Sequence, residues 1–182
     1  DATALCKRQG PIVTELRSWR GLDLMQTTGR VVAEYEALQP SKRPVEILVD
    51  SIGVGSGVVD RLRELDLPVR GVNVSESPSM GETYMNLRSE LWFKCKAWLE
   101  DRSCKLPKDD QLLAELTAIR YSFTSSGKMK AESKDEMRRR GVGSPDLADA
   151  LCLTMASDAA TAQSGVFKSW RGELRRGLQG IA

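Results

Sequence analysis

The chain has 182 residues and no histidine, which excludes Ser-His-Asp and Cys-His catalysis, His-ligated zinc and HNH-type nucleases. An apolar share of 41% and a charged share of 29% are globular composition, with enough chain to bury a core without disulfides. The net charge of +2, from 27 basic and 25 acidic residues, neither demands nor forbids nucleic acid, so its distribution decides.

The chain opens on Asp1-Ala2-Thr3 without a Met, which reads as the middle of a longer protein. Cys6, Cys95, Cys104 and Cys152 form no CxxC pair, so neither a zinc knuckle nor a redox motif is offered. Free thiols suit a reducing compartment, and Cys6 and Cys152 read as small core residues. No apolar run reaches the roughly 20 residues of a membrane helix.

In chain order, Thr3–Arg8 and Ile12–Leu16 flank Gln9-Gly10-Pro11 as a hairpin. Asp23 is the expected cap of a helix with Leu24, Val31, Val32, Tyr35 and Leu38 as its apolar stripe, closed by Pro40. Val45–Asp50 reads as a buried, central strand. A glycine-rich turn, a helix bearing Val58, Val59, Leu62 and Leu65, and a strand over Val69–Val74 follow. This is an α/β pattern with a hairpin in front. Ser75–Gly81 reads as a mobile surface loop. Helical spacing of Tyr84, Leu87, Leu91, Cys95 and Trp98 predicts a long helix from about Glu82 to Glu100. Asp109 or Asp110 caps the next helix. Ala118–Phe123 and Lys128–Ala131 read as a second hairpin. Ser133–Glu136 is a capping box opening a short basic helix that ends at Gly141. Ser144-Pro145-Asp146 opens one more helix, with Ser144 as cap and Leu147, Ala150, Leu151, Thr154 and Met155 as its buried stripe.

Three acids carry the chemistry. Asp50 closes an apolar strand just before glycines, where α/β sheets place ligand groups; capping the next turn is the equal alternative. Asp146 and Asp149, three apart, share one helix face, although Asp146 alone could merely complement the helix dipole. Carboxylates on separate elements can hold magnesium, and two ions can activate water and stabilise the leaving oxygen of a phosphodiester without histidine. Gly53, Gly55 and Gly57 match neither a Walker A loop nor a dinucleotide fingerprint, so they read as a tight turn with close helix packing. Lys128, Lys130, Lys134, Arg138, Arg139 and Arg140 could neutralise DNA phosphates, or be a solvated face given the acids at 132, 135 and 136.

Taken together, Ile47–Asp60, Tyr84–Trp92, Lys134–Gly141 and Ser144–Leu151 resemble the nuclease domain of the large terminase subunit of tailed bacteriophages, over roughly residues 1–156. The resemblance implies an α/β, RNase H-like mixed sheet flanked by helices over residues 1–160, with 161–182 a basic C-terminal tail or helix. It implies a metal-dependent endonuclease that cuts concatemeric double-stranded DNA with two Mg2+ or Mn2+ ions. Asp50 and Asp146 would be catalytic metal ligands and Asp149 an auxiliary one. Portal protein and the small terminase subunit would be partners, the compartment would be the host cytoplasm, and no membrane is involved. The family's first acid sits on a strand that precedes the one matching Thr3–Leu5, so that strand, one metal ligand and the ATPase motor are expected upstream of Asp1. The isolated chain is then expected to bind metal poorly and to be nearly inactive. Two further readings compete: a DNA- or portal-binding module with little cleavage of its own, and another RNase H-like nuclease such as a junction resolvase.

Overall fold

The computed structural model describes residues 1–157; the basic tail expected over 161–182 lies outside the described residues. Strands β1 (Thr3–Gln9) and β2 (Ile12–Trp19) form the expected antiparallel hairpin, turned at Gly10 with φ +55°. Lys7 on β1 bridges Glu15 on β2 at 2.7 Å and Glu34 at 2.5 Å, and Glu34 belongs to α1 (Leu24–Glu36). Asp23 caps α1 with a full capping box: its carboxylate accepts from Gln26 N at 2.7 Å, and the Gln26 side chain accepts from Asp23 N at 3.0 Å. The expected apolar stripe of α1 stays only partly covered, and Thr28 is its buried residue, because the helix packs chiefly on α2 (Val54–Glu64).

Strand β3 (Ile47–Asp50) pairs in parallel with β4 (Val69–Val72), and α2 crosses between them. The sequence placed β3 centrally and buried from Val45. Here it is half-buried and its hydrogen-bonded neighbour is β4, while Val45 is 74% exposed. Pro44 has no N–H to give a ladder, and Glu46 turns outward to Arg70 at 2.5 Å. Among the described residues the strands make three two-stranded sheets, not one continuous sheet. One helix, α6 (Asp146–Leu153), packs on β1, β2 and β3 and so joins the first hairpin to the parallel pair.

Helix α3 (Leu87–Glu100) starts later than its periodicity predicts. Asn86 caps it, accepting from Ser89 N at 2.9 Å. Residues 83–85 pair instead with β6 (Met129–Ala131): Met85 N donates to Met129 O at 3.0 Å, and Met129 N to Thr83 O at 2.8 Å. The 75–81 loop is exposed but anchored. Glu90, fully buried on α3, accepts from Ser79 N at 2.6 Å and pairs with Lys94 at 2.7 Å. Asp109 caps α4 (Asp110–Ala118), and α4 runs to Ala118, so β5 (Tyr121–Phe123) begins after the expected start of the second hairpin. The Ser133/Glu136 box opens α5 (Lys134–Arg139) as expected, and Gly141 ends the turn at φ +76°.

Two details of α6 differ from expectation. Pro145 occupies the cap position, and Ser144 does not cap; its hydroxyl donates to Asp146 at 2.6 Å. The buried face is Leu147, Ala148, Leu151 and Cys152, not the stripe through Ala150 and Thr154, because α6 is wedged between β1, α3 and α4. These residues meet Leu91, Trp92, Cys95, Trp98 and Leu112 in the core. Cys152 is buried as expected. Cys6 sits at the core edge, where burial pushes its thiol up to about 12, so it is a poor nucleophile.

The glycines of α2 support the packing reading. A Cβ at Gly57 would lie 2.3 Å from Leu24 Cδ1, the mobile end of an α1 side chain. Gly57→Ala is therefore expected to cost about 1 kcal/mol, at the mild end of overpacking. Urea unfolding would show the shift in midpoint, and no loss would mean that α1 docks more loosely than described.

Candidate active site

Asp50 sits at the C-terminal end of β3, in register with Val72 of β4. Its Oδ1 accepts from Ile52 N at 3.1 Å, and Ser51 N ties the strand end to Val72 O at 3.0 Å. The chain turns into α2 at Gly53, with φ +62°. A Cβ at Gly55 would fall 1.7 Å from the Asp50 carbonyl oxygen, so only glycine lets α2 start against the strand that carries the acid. Asp50 is exposed at the strand end, yet the surrounding protein withdraws enough water to raise its pKa. The Ile52 N–H and the charges of Lys134 and Arg88 oppose that rise, and Asp149 adds to it. The strand itself packs on α6, the helix that carries Asp146 and Asp149.

Asp146 and Asp149 lie in the first turn of α6, on one face. Asp146 Oδ1 accepts from Lys134 Nζ at 2.9 Å and from Ser144 Oγ at 2.6 Å, and Oδ2 accepts from Ala2 N at 2.7 Å. Burial would raise its pKa, but the Ser144, Ala2 and Lys134 hydrogen bonds outweigh burial and hold it below the ordinary value. Asp149 Oδ1 accepts from Arg88 at 3.0 Å and from Trp92 Nε1 at 2.8 Å. Arg88 is itself fixed by Glu132 O at 2.6 Å and lies over the Trp92 ring at 5.7 Å.

Lys134 Nζ stands at the centre of this arrangement, 2.9 Å from Asp146, 3.5 Å from Asp149 and 3.7 Å from Asp1. Sequence reasoning assigned Lys134 to DNA and missed Arg88 and Trp92. Those two sit four apart on α3, hence on one helix face, and that spacing was the available signal. Among the described residues, no group of three or more His, Cys, Asp or Glu side chains is gathered as it would be around an ion. The candidate donors nevertheless suit a hard divalent cation, since they are all carboxylate oxygens, and the ammonium of Lys134 lies within 3.5 Å of both Asp146 and Asp149.

The remaining basic residues divide. Lys130 pairs with Glu136 at 2.7 Å, and this contact with the Ser133 N–H and hydroxyl pulls Glu136 down to about 2. Arg140 is held by Glu132 at 2.7 Å, and Arg138 lies 3.5 Å from Asp135. Lys128 and Arg139 have no ion pair among the described residues.

No protein-family model and no curated sequence matches the chain. Solved structures do. The nuclease domain of the large terminase subunit gp2 of bacterial virus Sf6 superposes with TM-score 0.73 at 22% identity, covering 86% of this chain and 83% of that one. A lysine-to-alanine variant of that domain with manganese gives TM-score 0.70 at 22% identity, over 84% and 82%. The large terminase nuclease of thermophilic phage G20c with bound magnesium gives TM-score 0.62 at 17% identity, over 86% and 80%. With Asp50 at the end of β3 and Asp146 and Asp149 at the start of α6, this chain has the RNase H-like fold of phage large-terminase nuclease domains.

Proposed function

We propose that the chain is the nuclease part of a phage DNA-packaging terminase, a metal-dependent endonuclease that cuts concatemeric double-stranded DNA. The observation that supports this most is a cation, Lys134, held among acids from α6 in a fold whose similar structures contain manganese or magnesium. Asp50 and Asp146 would hold Mg2+ or Mn2+, with Asp149 auxiliary because Arg88 and Trp92 already engage one of its oxygens. Two such ions would supply an activated water and stabilise the leaving oxygen of the phosphodiester. Arg88 keeps the Asp149 carboxylate oriented. Lys134 neutralises Asp146 and Asp149 and would place a cation beside the phosphate. The partners are double-stranded DNA, portal protein and the small terminase subunit, and the compartment is the host cytoplasm.

Lys134→Ala separates its two roles. The acids lose their internal cation, so manganese affinity is expected to rise while the metal-free protein loses about 1 kcal/mol, the upper range for a partly exposed pair. Calorimetric titration and thermal melting check both. Unchanged values would leave Lys134 as a DNA contact alone.

DNA affinity should come from the cations with no carboxylate partner. Replacing Lys128 and Arg139 by Ala is expected to lower the salt slope of duplex binding by about two units, equally on unrelated sequences. Lys130→Ala should do less, because Glu136 already neutralises it. An unchanged slope would make the cluster a solvated face. A second reading, a DNA- or portal-binding module with little cleavage, is favoured by the lack of a ready three-carboxylate group among the described residues. Salt-dependent binding without cleavage at saturating manganese would support it.

A further inference from the structure

We propose that the groove between α3, α4 and β5 docks an acidic amphipathic helix of another protein. The groove encloses about 520 Å³ and is floored by Trp92, Phe93, Leu99, Leu116, Ile119 and Tyr121. An aromatic run extends it over the surface. Tyr84 stacks on Phe93 at 5.5 Å, Phe93 meets Tyr121 edge-on at 5.4 Å, and Tyr121 meets Phe123 at 5.9 Å. Tyr121 and Phe123 are 59% and 65% exposed. Large rings left in water beside an apolar groove mark an interaction surface rather than a core.

The aromatic surface and the basic residues of the hairpin lie on opposite faces. Side chains alternate across the β5–β6 hairpin. Tyr121 and Phe123 share one face with Ala131 and Met129, while Ser122 and Lys130 point to the other. Lys130 reaches Glu136 at the start of α5, the helix that carries Lys134. The aromatic face of the hairpin thus points away from Lys130, while Trp92 on the groove floor backs onto Asp149 through its Nε1.

Charge at the rim defines the partner's chemistry. Lys96 and Glu100 neutralise each other at 2.6 Å. Arg102 and Arg120, which also line the groove, have no ion pair among the described residues. Glu132 receives the Arg120 backbone N–H, but its carboxylate already pairs with Arg140. Arg102 follows the end of α3 at φ +55°, a left-handed position where glycine is at ease and a longer side chain is strained. An apolar floor flanked by two unneutralised guanidiniums fits a helix with apolar residues on one face and carboxylates beside them. It does not fit this chain's own residues 161–182, whose Lys168, Arg171, Arg175 and Arg176 outnumber Glu173 and share the sign of the rim.

The test uses two labelled helical peptides, one with Leu and Trp along a face flanked by Glu, the other identical but with Lys for every Glu. Fluorescence anisotropy should show the Glu peptide binding about fivefold to tenfold tighter, the yield of two rim charge pairs. The double variant Arg102→Glu, Arg120→Glu should invert that preference, and Tyr121→Ser, at an exposed site that the fold tolerates, should weaken both peptides. Equal binding of the two peptides, or a preference untouched by the charge reversal, would overturn the proposal. So would tighter binding after removal of residues 161–182, which would make the tail the occupant. Concentration-dependent dimers broken by Tyr121→Ser would also overturn it, making a second copy the occupant.

Discussion

In the chain extended upstream by the strand expected to carry the first acid, Asp50→Asn and Asp146→Asn are each expected to reduce manganese-dependent nicking of a supercoiled plasmid by more than about 100-fold, since even outer partners of metal ligands cost 10–100-fold when lost. Each change removes a charged oxygen donor and keeps the volume, so the fold should survive. Asp50→Asn should melt near the parent temperature, because the Asp50 carboxylate spends one hydrogen bond, to Ile52 N. Asp146→Asn should melt somewhat lower, because its carboxylate binds Lys134, Ser144 and Ala2 N. The Asp146 contribution to stability is full above the ordinary carboxylate pKa and is lost as pH falls through its depressed value. Parent-like cutting by either variant would remove that acid from the ion site.

Gly55→Ala should be more damaging to the fold than either acid substitution. The new methyl would stand 1.7 Å from the Asp50 carbonyl oxygen, which is strand backbone and cannot rotate aside. Either α2 lifts from β3 or the strand end shifts, so a loss of about 3 kcal/mol or more is expected, beyond ordinary overpacking. Cutting should fall with it, because the displaced atoms belong to Asp50 itself. Gly57→Ala, two residues on, meets only the end of Leu24, and its mild effect is the control. Equal unfolding midpoints for the two variants would contradict the close approach described at Gly55.

Much of this was legible in the sequence because local chemistry decided it. Asp23, Asp109 and Ser133 cap helices as their side chains dictate, and Gly10 turns the first hairpin. What failed depended on tertiary neighbours. The periodicity from Tyr84 onward continues through residues that β6 recruits as an edge, so it could not show where α3 begins. Ser144 has the composition of a cap, but its hydroxyl turns to the Asp146 carboxylate. Asp50 at a strand end and Asp146 and Asp149 at a helix start stand on the elements where the sequence put them. Lys134 looked like one more member of a basic run, because its three acidic neighbours come from Asp1, Asp146 and Asp149, which only folding assembles. Glu90 gave no signal either: its loop partner Ser79 is eleven residues away and polar like the rest of that loop.

Asp50 and Asp146, 96 positions apart, are proposed to share a divalent cation. Paramagnetic broadening of amide resonances during a manganese titration tests it most directly. Amides of Asp50–Gly53, Lys134 and Asp146–Asp149 should broaden together at the lowest manganese, Leu116–Tyr121 in the groove should keep their intensity, and Asp50→Asn should abolish the effect at both ends. Broadening of the α6 amides alone, or the same pattern in Asp50→Asn, would contradict it.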